Sequence, residues 1–263
     1  MPCLEESEYT VTLCTSGKQL RSCCDVRISV FVNEQGFALQ DEMDQYDPLA
    51  AHFMLAHNSN PDRAIGTLRL LPYPLPIPKP DEQGGEPDIH SSYPLGGSRS
   101  ESAIAADFIS AAWTKFPKPV GRGRDPAQTE EEESKTEEIM LEKGGAKLGR
   151  LALLKEARGK GLGHLLVRKA ESWLMSILGS DEASRHGAFG PRPSIQNGKE
   201  KGQASDCDKT KAERLESIII KLSSQIYVID FYNKLGYVPV GDRYDEDGAP
   251  HQLCYKQVFL AKN

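Results

Sequence analysis

Apolar and polar residues follow two different rhythms along this chain, and the switch between them is sharpest from Ala146 to Leu178. Leu148 to Leu154 is an almost continuous apolar run, which predicts a strand covered on both faces. Past Arg158-Gly-Lys-Gly-Leu-Gly163 the period lengthens. Leu162, Leu165, Leu166, Ala170, Trp173, Leu174 and Ile177 recur at three- and four-residue spacing and predict a helix with one apolar stripe. Upstream, Tyr9 to Cys14 alternates as a short strand. Ser16-Gly-Lys-Gln19 has capping-box spacing and opens a helix with Leu20, Cys24, Ile28 and Phe31 inward. Ala51–Ala56 and Ala64–Leu71 read as an antiparallel hairpin with Pro61-Asp62 in its turn. Downstream, Ser217–Leu222 is a strand and Tyr227–Leu235 a short helix ended by Gly236. Tyr237–Val240 and Gln252–Phe259 are closing strands joined through Asp245-Glu-Asp-Gly248.

Two tracts fit neither rhythm. Pro72, Pro74, Pro76, Pro78 and Pro80 alternate, which excludes helix and central strand and favours polyproline II. Gly, Pro, Ser and Asp dominate from Asp81 to Ser100, and Gly121–Lys143 is a charged tract containing Glu130–Glu133. Between them Ser102–Phe116 reads as a short amphipathic helix carrying Ile104, Phe108 and Trp113. Gly179–Lys211 is again polar. Residues 72–145 and 179–213 are therefore expected to be irregular insertions with too little apolar area to offset ordering entropy, and to be cleaved early within Asp81–Lys143 and Ser180–Lys211. Without them the order is β-α-β-β, then β-α-β-α-β-β. This is a mixed α/β sheet in a single domain over residues 1–263.

Composition narrows the function classes. The 263 residues are only 38% hydrophobic and carry a net charge of −6; the mean hydropathy is −0.49 and the pI about 5.6. An acidic chain of this kind disfavours non-specific nucleic-acid binding. The sequence has neither an apolar run near the ~18 residues of a membrane span nor a basic-plus-apolar leader. The expected setting is cytoplasmic, with the nucleus left open, and the expected state is monomer or homodimer. Six cysteines without C-x-x-C pairing argue against both zinc and a disulfide framework, so no metal is expected.

The glycine turn carries the chemistry. A strand, a glycine turn and a helix N-terminus together make an anion site, because the first helical N–H groups have no internal partner. Gly159, Gly161 and Gly163 keep Cβ atoms out of a phosphate's way, and Arg158 and Lys160 add charge. A P-loop would need a hydroxyl after Gly159-Lys160, where Gly161 stands. A dinucleotide fingerprint would need glycine where His164 stands. R-x-x-G-x-G, from Arg158 to Gly163, does fit.

That motif resembles the pyrophosphate loop of the GNAT superfamily of acyl-CoA-dependent N-acetyltransferases, and three more segments agree with it. Arg27-Ile-Ser-Val-Phe-Val-Asn-Glu-Gln-Gly36, with the acidic loop after it and His52, is similar to the first signature of the ElaA-like branch. Phe231-Tyr-Asn-Lys-Leu-Gly-Tyr237 resembles the late helix-to-strand motif, and Asp245-Glu-Asp-Gly-Ala-Pro-His251 the final signature. The resemblance implies the GNAT fold with two long polar insertions and direct transfer from acetyl-CoA, the co-substrate, to an amine acceptor in a ternary complex. It implies that pantetheine pairs with the backbone of Leu151, Ala152 and Leu153. It also implies that the pyrophosphate sits on Arg158, Gly159, Lys160, Gly161, Leu162, Gly163 and His164, with Asn233 nearby. Tyr232 stands where the family keeps its general acid, and a phenol of pKa about 10 is protonated at neutral pH and able to meet a thiolate. Leu154-Lys-Glu-Ala157 departs from the proline that often follows the strand of this motif.

The base is read as Glu34, with Asp47, Glu246, His52 and His251 as rivals. The resemblance puts Glu34, Asp41, Glu42, Asp44 and Asp47 around the acceptor mouth together with Asp245, Glu246 and Asp247. Such a field favours a small cationic amine or a basic protein segment over a sugar phosphate. A non-catalytic acyl-CoA-binding module and an acetyltransferase of protein amines or amino sugars are the alternatives.

Overall fold

The computed structural model describes residues 8–44, 46–73, 97–112, 144–180 and 216–260. Ser16 accepts from the Gln19 N–H, and the Gln19 side chain reaches back to the Ser16 N–H. This capping box starts α1 (Gly17–Arg27) where the sequence places it. The helix does not run on as α through Phe31. From Ile28 to Glu34 it widens into a π-helix, whose larger turn moves the inward stripe. Cys23, Val26, Arg27 and Val30 are buried, while Ile28 and Phe31 are only partly so.

Among the described residues seven strands form one mixed sheet in the order β1-β2-β3-β4-β5-β7-β6. They are β1 (Tyr9–Leu13), β2 (Ala51–His57), β3 (Ala64–Tyr73), β4 (Gly145–Leu153), β5 (Ser217–Gln225), β6 (Val238–Glu246) and β7 (Ala249–Phe259). Of the strand pairs in this sheet β4–β5 is parallel and the other five are antiparallel. On one face α2 (Glu101–Ala112) and α3 (Leu162–Leu178) place Phe108, Leu166, Ala170 and Leu174 in a core with Leu68, Leu70, Leu148, Ile218 and Ile220. On the other, Cys23, Val26 and Val30 pack with Met54 and Ala56. Among the described residues no helix is long and apolar enough to cross a membrane.

Three boundaries differ from the sequence reading. The span 72–145 is not wholly an insertion: β3 runs to Tyr73, α2 buries Ile104 and Phe108, and β4 begins at Gly145. Apolar residues at helical spacing gave α2 a face worth burying, and Trp173 meets Phe53 and Phe108 edge-on. The proline run from Pro74, the acidic tract, Trp113 and most of the polar stretch after α3 lie outside the described residues, as do the expected cleavage ranges apart from 97–112 and Ser180. The short helix expected over Tyr227–Leu235 is instead a 3-10 turn (Ile226–Val228) followed by the five-residue α4 (Ile229–Asn233). The closing hairpin is longer. Its turn is Asp247-Gly248, both with positive φ (56° and 78°), as a two-residue hairpin turn demands. Asp245 and Glu246 are consequently strand residues.

Candidate active site

β4 and β5 are paired over three residues, Gly145–Lys147 against Ile219–Lys221, and then part. At the closed end a Cβ on Gly145 would lie 2.0 Å from the Ile219 carbonyl oxygen, so only glycine allows this approach. At the open end β4 carries a bulge: Thr67 pairs with Ala152 and Arg69 with Gly149, so Leu68 faces both Arg150 and Leu151. Arg150 takes a positive φ of 51° there, and the extra residue bends the strand. The result is a cleft of about 480 Å³, lined by Leu151, Ala152 and Leu153 from β4, Ser223 and Gln225 from β5, Tyr232 from α4 and Glu34 from the π-helix. That size is ordinary for a small-molecule site.

The glycine turn flanks this cleft. Gly159 and Gly161 have φ of 75° and 77°, and an added Cβ at either would meet nothing within 4 Å. The backbone conformation requires glycine, and the space before the turn is open. Gly161 is the N-cap of α3 without a side-chain cap, leaving the first N–H groups of the helix without helical partners. Gly163 serves another purpose. Its missing Cβ makes room for Phe231, whose Cε2 would lie 3.1 Å away, so it secures packing rather than phosphate approach.

Of the residues expected to hold the co-substrate, Leu151, Ala152, Leu153, Arg158 and Gly163 line the cleft; Gly159, Lys160, Gly161, Leu162, His164 and Asn233 do not. Arg158 donates from Nε to the Leu153 carbonyl at 2.9 Å, and its Nη1 meets Glu34 at 2.9 Å. Lys160 reaches the Tyr9 hydroxyl at 3.3 Å. Leu162 is buried in the core. His164 packs on Phe231 with ring centres 4.6 Å apart; burial, then the charges of Arg168 and Lys234, push its pKa down. Asn233 is exposed on α4.

Tyr232 is buried yet lines the cleft, edge-on to Phe231 and Tyr237 at 5.0 and 5.7 Å. Burial, with a smaller contribution from Cys254, raises its pKa, so its hydroxyl is protonated at neutral pH. Glu34 is in the cleft wall, but Arg158 holds its carboxylate.

The acidic loop is not an open mouth. Glu42, Asp44 and Asp47 are met by Arg27, Arg69 and Arg150, three cations against three anions. Arg27 binds Glu42 at 3.1 Å and Asp47 at 2.9 Å; Arg69 binds Asp44 at 2.7 and 2.8 Å and Asp47 at 2.9 Å. Arg150 stands 3.6 Å from Glu42 and 3.8 Å from Asp44. Burial alone would raise the Asp47 pKa, but Arg27 and then Arg69 override it and hold the carboxyl well below the usual carboxylate range. His52 is equally enclosed. Its Nε2 bonds the Asp47 carbonyl at 2.9 Å, and burial, against the pull of Asp47, lowers its pKa to about 4. Neither Asp47 nor His52 lines the cleft, whereas Glu246, Asp247 and His251 do. The side chain of Asp41 lies outside the described residues.

Several partners escaped the sequence reading. Arg27 stands among buried positions of α1, and Arg69 and Arg150 lie in strands; arginines at interior positions opposite an acidic loop are the available signal. Ser223 and Tyr244 join Glu246 at the far wall: Ser223 Oγ hydrogen-bonds the Tyr244 hydroxyl and Glu246 Oε2. Serine and tyrosine in strands carry no such signal.

No protein-family profile and no curated protein sequence matches the chain. Solved structures do resemble it. A Lactobacillus plantarum protein provisionally assigned as an N-acetyltransferase is 18% identical with a TM-score of 0.47, covering 95% of this chain and 97% of its own. An acyl-CoA N-acyltransferase from Pseudomonas aeruginosa is 19% identical with a TM-score of 0.44, covering 94% and 97%. ElaA of Escherichia coli is 15% identical with a TM-score of 0.44, covering 94% and 98%. At these values the function has to rest on the chain's own residues. Its mixed sheet, its parted parallel pair and its glycine turn before α3 agree with the fold that the resemblance of the four motifs implies.

Proposed function

We propose that the chain transfers an acyl group, acetyl in the first instance, from CoA to a primary amine, with both substrates bound together. The observation that carries this reading is the parting of β4 from β5 beside a helix opened by two positive-φ glycines. A parted strand offers backbone donors and acceptors to an extended amide arm, and the glycine turn offers N–H groups to a pyrophosphate. Pantetheine would lie along Leu151, Ala152 and Leu153. The pyrophosphate would lie on the turn from Arg158 to His164, with Asn233 beyond it. Arg158 would keep Glu34 on Nη1 and offer its remaining donors to the phosphates. Bound there, the thioester supplies the activated acyl group.

Tyr232 is the proton donor of this reading. Its raised pKa keeps the hydroxyl intact, so it supports the departing thiolate first as a hydrogen-bond donor; full transfer follows only as charge develops on sulfur. The preference for a small cationic amine now rests on Glu246 and Asp247 in the cleft wall, since the acids of the first loop are neutralised by arginines. The alternative, a binding module without turnover, keeps the same cleft and dispenses with Tyr232.

Calorimetry with acetyl-CoA, followed by thiol release with 1,4-diaminobutane, benzylamine and glucosamine 6-phosphate at low and high salt, tests the reading. Binding and release with the diamine, weakened by salt, are expected. Absence of acetyl-CoA binding overturns the reading. Binding without release from any amine leaves the module instead.

A further inference from the structure

The acceptor nitrogen must shed protons on the side of the cleft away from CoA, and the arrangement of β5, β7 and β6 bears on how. Three of the five side chains considered for this task are engaged elsewhere. Glu34 is held by Arg158, Asp47 lies between Arg27 and Arg69, and the His52 Nε2 bonds the Asp47 carbonyl. The other two, Glu246 and His251, line the cleft together. The ladder explains why: Gln225, His251 and Tyr244 stand in one row across three strands, with Glu246 two residues along β6 on the same face.

Within that row His251 is held in one form. Its Nδ1 lies 2.8 Å from the Ala249 carbonyl oxygen. A carbonyl only accepts, so Nδ1 carries the hydrogen, and the neutral ring keeps its lone pair on Nε2. Tyr244 stacks on the imidazole at 6.4 Å with 26° between planes. Glu246 is anchored differently, through the Ser223 hydroxyl.

We propose that His251 is the catalytic base for the acceptor amine, and that Glu246, anchored by Ser223, receives the amine in its ammonium form. The inference rests on the acyl-transfer reading above. Nε2 of His251 takes one proton from the ammonium and passes it to water. The freed nitrogen pair forms the C–N bond to the thioester carbonyl. As the C–S bond breaks, its electron pair leaves on sulfur. His251, freed of its first proton by water, takes the second proton from the now cationic nitrogen and passes it to water as well; Tyr232 gives its proton to sulfur and regains one from solvent. Amide, CoA thiol and one released proton balance the acyl-CoA and ammonium consumed.

The test uses the full chain, wild type against His251→Gln, with two acceptors: 1,4-diaminobutane, an ammonium at neutral pH, and methoxyamine, which is not. For the diamine, His251→Gln is expected to lower kcat/KM by about 10²-fold or more and to remove the acid limb of the pH profile. For methoxyamine the loss is expected to be at least ten times smaller, with acetyl-CoA affinity unchanged. The groups sharing the wall with His251 are Tyr244 and Glu246 from β6, Asp247 from the turn, uncharged Ser223 and Gln225 from β5, Tyr227 from the 3-10 turn packed on β7, and across the cleft Glu34 with Arg158. The profiles of Glu246→Gln and Glu34→Gln are therefore recorded beside it and should keep the acid limb. Nitrogen NMR of His251 gives a readout independent of turnover, and the Nδ1–H tautomer is expected. An unchanged rate and acid limb, an equal loss with both amines, or an Nε2–H tautomer overturns this inference alone. A chain that binds acetyl-CoA and turns over no amine overturns it together with the acyl-transfer reading.

Discussion

Replacing Arg27 with methionine should destabilise the fold more than any change at the cleft. The guanidinium is 1% exposed and makes bonds of 3.1 Å to Glu42 and 2.9 Å to Asp47, with a longer one of 3.4 Å. Methionine fills much the same volume but leaves two buried carboxylates short of a cation. Two well-formed charge-assisted bonds correspond to about 3–6 kcal/mol. Arg69 still holds Asp47 and Arg150 still stands near Glu42, which moves the loss to the lower half, about 3–4 kcal/mol. That agrees with the roughly 3–5 kcal/mol for breaking a buried pair from one side. Urea denaturation should show the loss as a lower midpoint at unchanged slope, and the melting temperature should fall by about 10 °C for a chain of this size. Arg27→Lys keeps the charge but not the planar fork, so it should lose about half as much. A cooperative Arg27→Met protein within about 1 kcal/mol of wild type would refute the idea that this network holds α1 to the sheet.

Three further outcomes follow from the same geometry. Gly161→Asp should weaken acetyl-CoA binding by several kcal/mol in calorimetry, because it sets a like charge where a pyrophosphate would lie; Gly161→Asn, which tolerates the φ of 77°, should lose less, and equal losses would trace the effect to strain. Tyr232→Phe should lower the single-turnover rate about 10²-fold with little change in CoA affinity, and an unchanged rate would give the proton to water. Stability should fall as pH drops from about 6.5, the ordinary pKa of histidine, to about 4, that of folded His52. Over that window the unfolded ring takes a proton that the buried ring refuses, a loss of about 3 kcal/mol. Asp47, with its pKa held below the usual range, adds its loss only below that window. His52→Asn should flatten denaturation midpoints between pH 6.5 and 4, and a slope equal to wild type would remove His52 as the cause.

The elements of this fold were legible because each is announced within a few residues. The capping box at Ser16, the stripe from Leu162 to Leu178 and the apolar run of β4 are local patterns with local causes. The turn from Arg158 to Gly163 could also be read directly, since a positive φ at Gly159 and Gly161 is a property of glycine itself. What required the folded chain was pairing. The resemblance of the motifs places the acids after α1 around an open negative mouth. Only the sheet brings Arg69 and Arg150 from neighbouring strands under that loop and turns its charges inward. The same holds at the far wall. Ser223, Tyr244, Glu246 and His251 are spread over nearly thirty positions of sequence, and nothing local relates them. They share a face because antiparallel register sets Tyr244 opposite His251 and puts β5 on the other side of β7. Propensity and spacing act along the chain over one or two turns. Charge neutralisation and the tautomer of a histidine depend on neighbours that only long-range strand pairing supplies.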